Sequence, residues 1–169
     1  MVSIKKAGID AVPVIHALAK DIWPIAYKDV ISADQIEFML ELMYSEKSLL
    51  DQMQKHDHQF ILAIDDEKVL GYASYSPKIM NNIASEKVYR LHKLYVSIPS
   101  HYKGVGRALV DHIINEIKPL GATQLELNVN RKNNAVSFYQ KLGFIILREE
   151  LLDLGQDYYM DDYIMTVDL

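Results

Sequence analysis

Two stretches of this 169-residue chain hold residue types whose spacing could do chemistry. The first is Leu94-Tyr95-Val96-Ser97-Ile98-Pro99-Ser100-His101-Tyr102-Lys103-Gly104-Val105-Gly106-Arg107-Ala108-Leu109. A strand pattern ends, a short loop follows, and a helix opens on Gly-Val-Gly. Glycines let the backbone come close to a ligand with its amides outward. The helix start adds unpaired N–H groups and a partial positive charge. Lys103 and Arg107 add full charges. Together these would cradle a phosphate. The third glycine and the ribose-binding acid of a dinucleotide fingerprint are missing, and no Gly-Lys-Ser/Thr follows for a P-loop. Alone, the segment reads better as a well-capped tight turn than as a cradle.

The second stretch is Asn128-Val129-Asn130-Arg131-Lys132-Asn133-Asn134-Ala135-Val136-Ser137-Phe138-Tyr139-Gln140-Lys141-Leu142-Gly143-Phe144. With both in place the sequence resembles the GCN5-related N-acetyltransferase (GNAT) family, which acetylates amines with acetyl-CoA. The family's Q/R-x-x-G-x-G/A signature falls on His101 to Gly106, with His101 where Gln or Arg is usual. Its N-x-A-hydrophobic-x-x-Y-x-K-x-G-F segment falls on Asn133 to Phe144 and includes Lys141. Many members have one more residue between the Asn and the Tyr, so Asn130 stands beside Asn133 as a candidate coenzyme contact.

The resemblance implies a site. The amides of Tyr102, Lys103, Gly104, Val105, Gly106 and Arg107 would cradle the pyrophosphate of acetyl-CoA. Two splayed parallel strands would hold the pantetheine arm between Leu94, Tyr95 and Val96 on one side and Leu127 to Asn130 on the other. A backbone N–H near Tyr95 would face the thioester carbonyl, and such a donor is worth roughly 3–4 kcal/mol in the transition state. The amine would attack directly, through a tetrahedral intermediate. Tyr139 stands where the family places its acid. A phenol of ordinary pKa near ~10 is protonated at neutral pH and can donate to a departing thiolate. The other reading of Tyr139 is a core residue on its helix stripe.

The base is less marked. His92 and Glu126, on the strands before and after the cradle, are the candidates. His56 and His58 have ligand-like spacing, but no third ligand is suggested, and no metal is expected. The acceptor site would draw on Trp23, Tyr27 and Tyr44 near the N-terminus and on Tyr159, Asp161 and Asp162 near the C-terminus. Eleven tyrosines suit a site that wraps a cation. The layout looks like the bacterial spermidine/spermine acetyltransferase subgroup, and a small polyamine-like amine is the expected acceptor. Peptide or protein amines are an alternative. A different class is a catalytically idle acetyl-CoA sensor, which would need the cradle but not Tyr139.

These residues need elements to position them. Val2 to Ala7 reads as a first strand. Asp10 could cap a helix running to Trp23, where Pro24 would stop it. Ser32 and Gln35 form a capping box before Ile36, Met39, Leu40 and Met43 at helical spacing. Ser45 would cap a third helix. Phe60 to Ile64 and Val69 to Ser76 read as a hairpin. Val88 to Val96 alternates, with His92 and Leu94 on one face and Lys93 and Tyr95 on the other. Arg107 to Leu120, Leu125 to Val129 and Ala135 to Leu142 read as helix, strand and helix, and Gly143 as a left-handed cap. A last strand pair follows. The expected fold is α/β, one domain over residues 1–169. Its mixed, mostly antiparallel sheet has about seven strands and a parallel crossover pair, with helices on both faces.

Composition bounds the rest. With no Cys, disulfides, thiolate metal sites and a cysteine nucleophile are excluded. No apolar run approaches the roughly 20 residues of a membrane helix. A cytoplasmic protein without a membrane partner is expected. The net charge of −5 argues against nucleic acid. From Glu149 onward there are seven acids and no Lys or Arg, leaving residues 1–148 at a net +2. Such an acidic end attracts cationic partners or is simply a solvated face. A homodimer is left open.

Overall fold

The computed structural model describes residues 1–78, 86–97 and 104–169. Seven strands form one sheet: β1 (Ser3–Ala7), β2 (Gln59–Asp65), β3 (Lys68–Pro77), β4 (Val88–Val96), β5 (Gln124–Asn130), β6 (Ile145–Asp153) and β7 (Tyr159–Asp168). Their order is β1-β2-β3-β4-β5-β7-β6. Only β4 and β5 run parallel, and their pairing covers just Val88↔Gln124 to Leu91↔Leu127. Beyond Leu91 and Leu127 each strand continues alone along the facing edge. This is the mixed, splayed sheet expected from the sequence.

Five helices cover the two faces: α1 (Val12–Ala26), α2 (Ala33–Tyr44), α3 (Glu46–Lys55), α4 (Val105–Ile117) and α5 (Ala135–Lys141). The α4 stripe of Leu109, Ile113 and Ile117 buries against Leu91, Leu125 and Leu127 of the sheet, and Phe144 closes that core. On the other face Ile15, Ala19, Trp23, Met39 and Leu49 of α1–α3 bury against Phe60, Leu62 and Tyr72.

Several local expectations change. Asp10 caps nothing; it lies in a single 3₁₀ turn, and α1 begins after Ala11 with Pro13 in its first turn. Pro24 does not end α1, which continues to Ala26. In the last turn proline forfeits one backbone bond, while continuing the helix buries Trp23 and Tyr27. The Ser32 box is half-made. Ser32 Oγ accepts from the Gln35 N–H at 3.1 Å, but the Gln35 side chain donates instead to the Tyr159 carbonyl at 2.7 Å. It thereby ties α2 to β7.

The β4 alternation also breaks. Leu91 lies opposite Tyr75 and Lys93 opposite Ser74, so no residue of β3 stands opposite His92 in the register. This is a β-bulge, with two residues on one strand against one on its neighbour. The faces swap across it. Tyr89 and Leu91 before the bulge, and Leu94 and Val96 after it, all meet the α4 core. Tyr95 turns to the α1–α3 side.

Candidate active site

The splay opens a cavity of about 190 Å³. Leu91 to Tyr95 line one wall and Leu127 to Asn130 the other; α1 and α2 roof it with Trp23, Tyr27, Met39, Met43 and Tyr44. Tyr139 of α5, with Asn133 just before that helix, and Met160 and Asp162 of β7 also line it.

Each side chain has a structural reason for its place. Asn133 Oδ1 accepts from the Ala135 N–H at 2.9 Å and starts α5. Gly143, at φ +94°, ends the chain's helical path where a side chain would be strained. Between them Tyr139 is held 7% exposed, its ring edge-on to Phe138 and Phe144. Burial pushes its phenol well above the ordinary value. Trp23 stacks on Tyr27 at 4.3 Å, and Tyr95 lies 5.5 Å from Trp23. The Tyr27 and Tyr95 hydroxyls share a hydrogen bond at 2.9 Å. Asn130 is buried, and its Oδ1 accepts from the Lys132 N–H at 2.9 Å.

The adjacent acids Asp161 and Asp162 part company on β7. Asp162 is 5% exposed, on the cavity wall. Its Oδ2 accepts from Asn128 Nδ2 at 3.4 Å, whereas Oδ1 has no partner among the described residues. Burial lifts its carboxyl to about 6. Asp161 points the other way, pairs with Arg131 at 3.6 Å, and lines a second cavity with Tyr159. Thus Trp23, Tyr27, Tyr44 and Asp162 meet Tyr139 in one cavity, while Tyr159 and Asp161 do not. The alternation of β7 decides this.

The two candidate bases are placed differently. His92 lines the cavity. Its Nε2 shares a hydrogen bond with Ser76 Oγ at 2.7 Å, and its ring stacks on His58 at 3.9 Å. Burial, then the neighbouring imidazole and cations, push it down to about 3. Glu126 accepts from Lys78 Nζ at 2.7 Å and lies outside the cavity lining.

Of the cradle, His101, Tyr102 and Lys103 lie outside the described residues. Gly104 precedes α4 at φ +101° and offers no side chain to cap it. The first N–H groups of α4 therefore lack an intrahelical acceptor. Gly106 has another task. A Cβ there would meet the Phe138 ring at 3.1 Å, so the glycine seats α5 against α4. Val105 is core, Arg107 is exposed with Asp111 at 3.6 Å, and Val96 packs on the core. Lys141 is the exposed last residue of α5. Among the charged lining residues, sequence reasoning missed Arg90 and Lys93. Arg90 Nη2 donates to Asn128 Oδ1 at 2.6 Å, and Asn128 Nδ2 donates to Glu150 at 3.1 Å.

A family model described as the acetyltransferase (GNAT) domain matches residues 27–158, more than half of the chain. The chain belongs to the GNAT acetyltransferase family. A spermidine N(1)-acetyltransferase from Thermoplasma acidophilum is 26% identical to this acetyltransferase over 165 residues, covering 95% of this chain and 96% of the relative. The crystal structure of PaiA N-acetyltransferase from Thermoplasma acidophilum in complex with coenzyme A superposes with a TM-score of 0.80. Its identity is 25%, with 100% of this chain and 99% of that one covered. A GCN5-related N-acetyltransferase structure from Rhodopseudomonas palustris shares the fold at a TM-score of 0.80 and 17% identity, covering 99% and 95%.

The enzyme is thus an acetyl-CoA-dependent N-acetyltransferase, and the idle-sensor reading falls away. Its own residues fit that coenzyme. The free inner edges of β4 beyond Leu91 and of β5 beyond Leu127 can pair with an extended chain of amides. The uncapped start of α4 lies at the end of the β4 connection, where a phosphate would be met. No helix among the described residues is long and apolar enough to cross a membrane.

Proposed function

We propose that the acetyltransferase modifies a primary amine of a polyamine-like acceptor, with Asp162 holding a second ammonium of the same molecule. The observation that carries this reading is the buried Asp162 carboxylate on the wall of the Tyr139 cavity, with one oxygen unpartnered among the described residues. A buried carboxylate needs a donor, and an ammonium is a strong one. Trp23, Tyr27, Tyr44 and Tyr95 present aromatic rings around the same space, which suits a cation. The likeness to the Thermoplasma spermidine N(1)-acetyltransferase supports the same acceptor class.

When bound, acetyl-CoA supplies an acetyl group already activated as a thioester. The unpaired edge of β4 beyond Leu91 would orient the thioester carbonyl and offer it an N–H near Tyr95. The amine would attack the thioester directly. Tyr139 keeps its proton at any working pH because burial disfavours phenolate. It donates that proton to the departing sulfur. Asn133 fixes the start of the helix that carries it. The test is release of free thiol from acetyl-CoA against spermidine, spermine, aminoglycosides, amino acids and a peptide N-terminus. Spermidine or spermine should give the highest kcat/KM; a peptide leading the panel refutes the assignment.

A further inference from the structure

Lys93 is a lysine where lysines are rarely found. It is 7% exposed on the cavity wall, on the α1–α3 side of the β4 bulge. Its Nζ donates to Gln52 Oε1 at 2.6 Å and lies 5.3 Å from the Tyr44 ring and 5.8 Å from the Phe60 ring. Among the described residues it has no carboxylate partner and no second hydrogen-bond acceptor. An ammonium carries three donors; one amide oxygen and two ring faces serve its charge less well than a carboxylate would.

The groups facing it are known from every side. Tyr44 comes from α2, Gln52 from α3, Phe60 from β2 with His58 just before it, and Ser74 lies opposite on β3. Arg90 and His92 flank it on β4. None is an acid. Desolvation alone lowers its amine to about 7.

We propose that Lys93 is the catalytic base that takes the proton from the acceptor ammonium, an assignment that rests on the polyamine reading above. The alternatives are less suited. His92 has been pushed down to about 3 and cannot hold a proton near neutrality. Glu126 is committed to Lys78 and lies outside the cavity lining. Asp162 is an anion near neutrality, and a nearby anion stabilises the ammonium form. That is right for a group being held and wrong for one about to attack. Two residues of one cavity lining therefore divide the labour. Asp162 keeps one ammonium charged, and Lys93 removes the proton from the other. In the step, an acceptor N–H bond breaks and a Lys93 Nζ–H bond forms. The acceptor nitrogen then bonds to the acetyl carbon, the carbon–sulfur bond breaks as Tyr139 supplies the sulfur's proton, and the second proton lost from the nitrogen as the amide forms restores the Tyr139 phenol. Lys93 returns its proton to water as the product leaves.

The experiment compares wild type with Lys93→Met and Lys93→Arg on two acceptors, spermidine and trifluoroethylamine. The second is already neutral at working pH and needs no base. Lys93→Met should lower spermidine kcat/KM about 100-fold near neutral pH. It should also erase the rise in that profile around pH ~7. Trifluoroethylamine turnover and acetyl-CoA Kd should stay within about threefold. Lys93→Arg keeps a cation and its packing but cannot become neutral, so it should not rescue. Equal losses on both amines, or rescue by Arg, overturn the proposal as a structural role. A second measurement needs no acceptor: in lysine Cε NMR spectra one resonance should titrate near pH ~7 and vanish in Lys93→Met. If the Lys93 signal titrates in the ordinary lysine range, the assignment is wrong. A wild type that ignores spermidine overturns the polyamine reading and leaves Lys93 to be judged by this titration.

Discussion

The hydroxyls of Tyr27 and Tyr95 lie 2.9 Å apart and join α1 to β4 just past the point where β4 leaves β5. Tyr27 is buried in the α1–α3 core and Tyr95 is half-buried against it. Removing one hydroxyl should strand the other, at a cost of about 1–3 kcal/mol. Tyr27→Phe and Tyr95→Phe should each show this loss in urea unfolding. The double variant should be less destabilised than the sum, because no orphan remains. Strict additivity would mean that the pair is not coupled.

Tyr139→Phe keeps the ring between Phe138 and Phe144 and deletes only the oxygen. We expect kcat to fall at least about tenfold, with acetyl-CoA Kd within about threefold of the parent. Parent-rate turnover would return Tyr139 to the core.

Asp162→Asn should raise the KM for spermidine more than Asp161→Asn does. Only Asp162 lines the Tyr139 cavity; Asp161 is spent on Arg131 in another. The contrast should persist in moderate salt, since a buried charge is screened less than an exposed one. Equal effects of the two substitutions would remove Asp162 from the acceptor site.

Acid should destabilise the fold through its histidines. His58 and His92 are held near 4 and 3, below their unfolded value of 6.5. As pH falls below that value the unfolded chain takes up protons that the native state refuses, and stability drops. Asp162 works the other way. Its carboxyl, raised from 3.8 to about 6, binds a proton in the native state first. Asp162→Asn should therefore be more stable than the parent above that point and lose stability more steeply on acidification. Unfolding midpoints across pH ~4 to ~7 check the sign.

Gly106→Val should weaken acetyl-CoA binding at least about tenfold and also lower the Tm, because the new side chain must displace Phe138. A stable variant with unchanged Kd would contradict both the packing and the cradle.

The elements were legible where one physical signal dominated. The stripe of Leu109, Ile113 and Ile117, the Ser45 cap and the left-handed Gly143 each stand alone in fixing their element. The rest depended on partners distant in sequence. Nothing near His92 announces the bulge, which exists because β3 supplies one residue where β4 has two. Strict alternation therefore assigned Leu94 and Tyr95 to the wrong faces. Pro24 reads as a stop until the burial of Trp23 and Tyr27 outweighs one lost bond. Glu126 reads as a base until Lys78, 48 residues earlier, is found on it. Lys93 reads only as one residue of an alternating strand until α2 and α3 fold over it.

The splay of β4 from β5 lies between a four-stranded and a three-stranded half of the sheet. A sheet normally protects its centre best and frays at its margins. Here the inward-facing amides of residues 93–96 and 128–130 lie mid-sheet without a strand to receive them. They should exchange with deuterium faster than those of Val88 to Leu91 on the same strand. Acetyl-CoA should slow them by filling the seam, so that the coenzyme is also the missing rung that makes the two halves exchange as one.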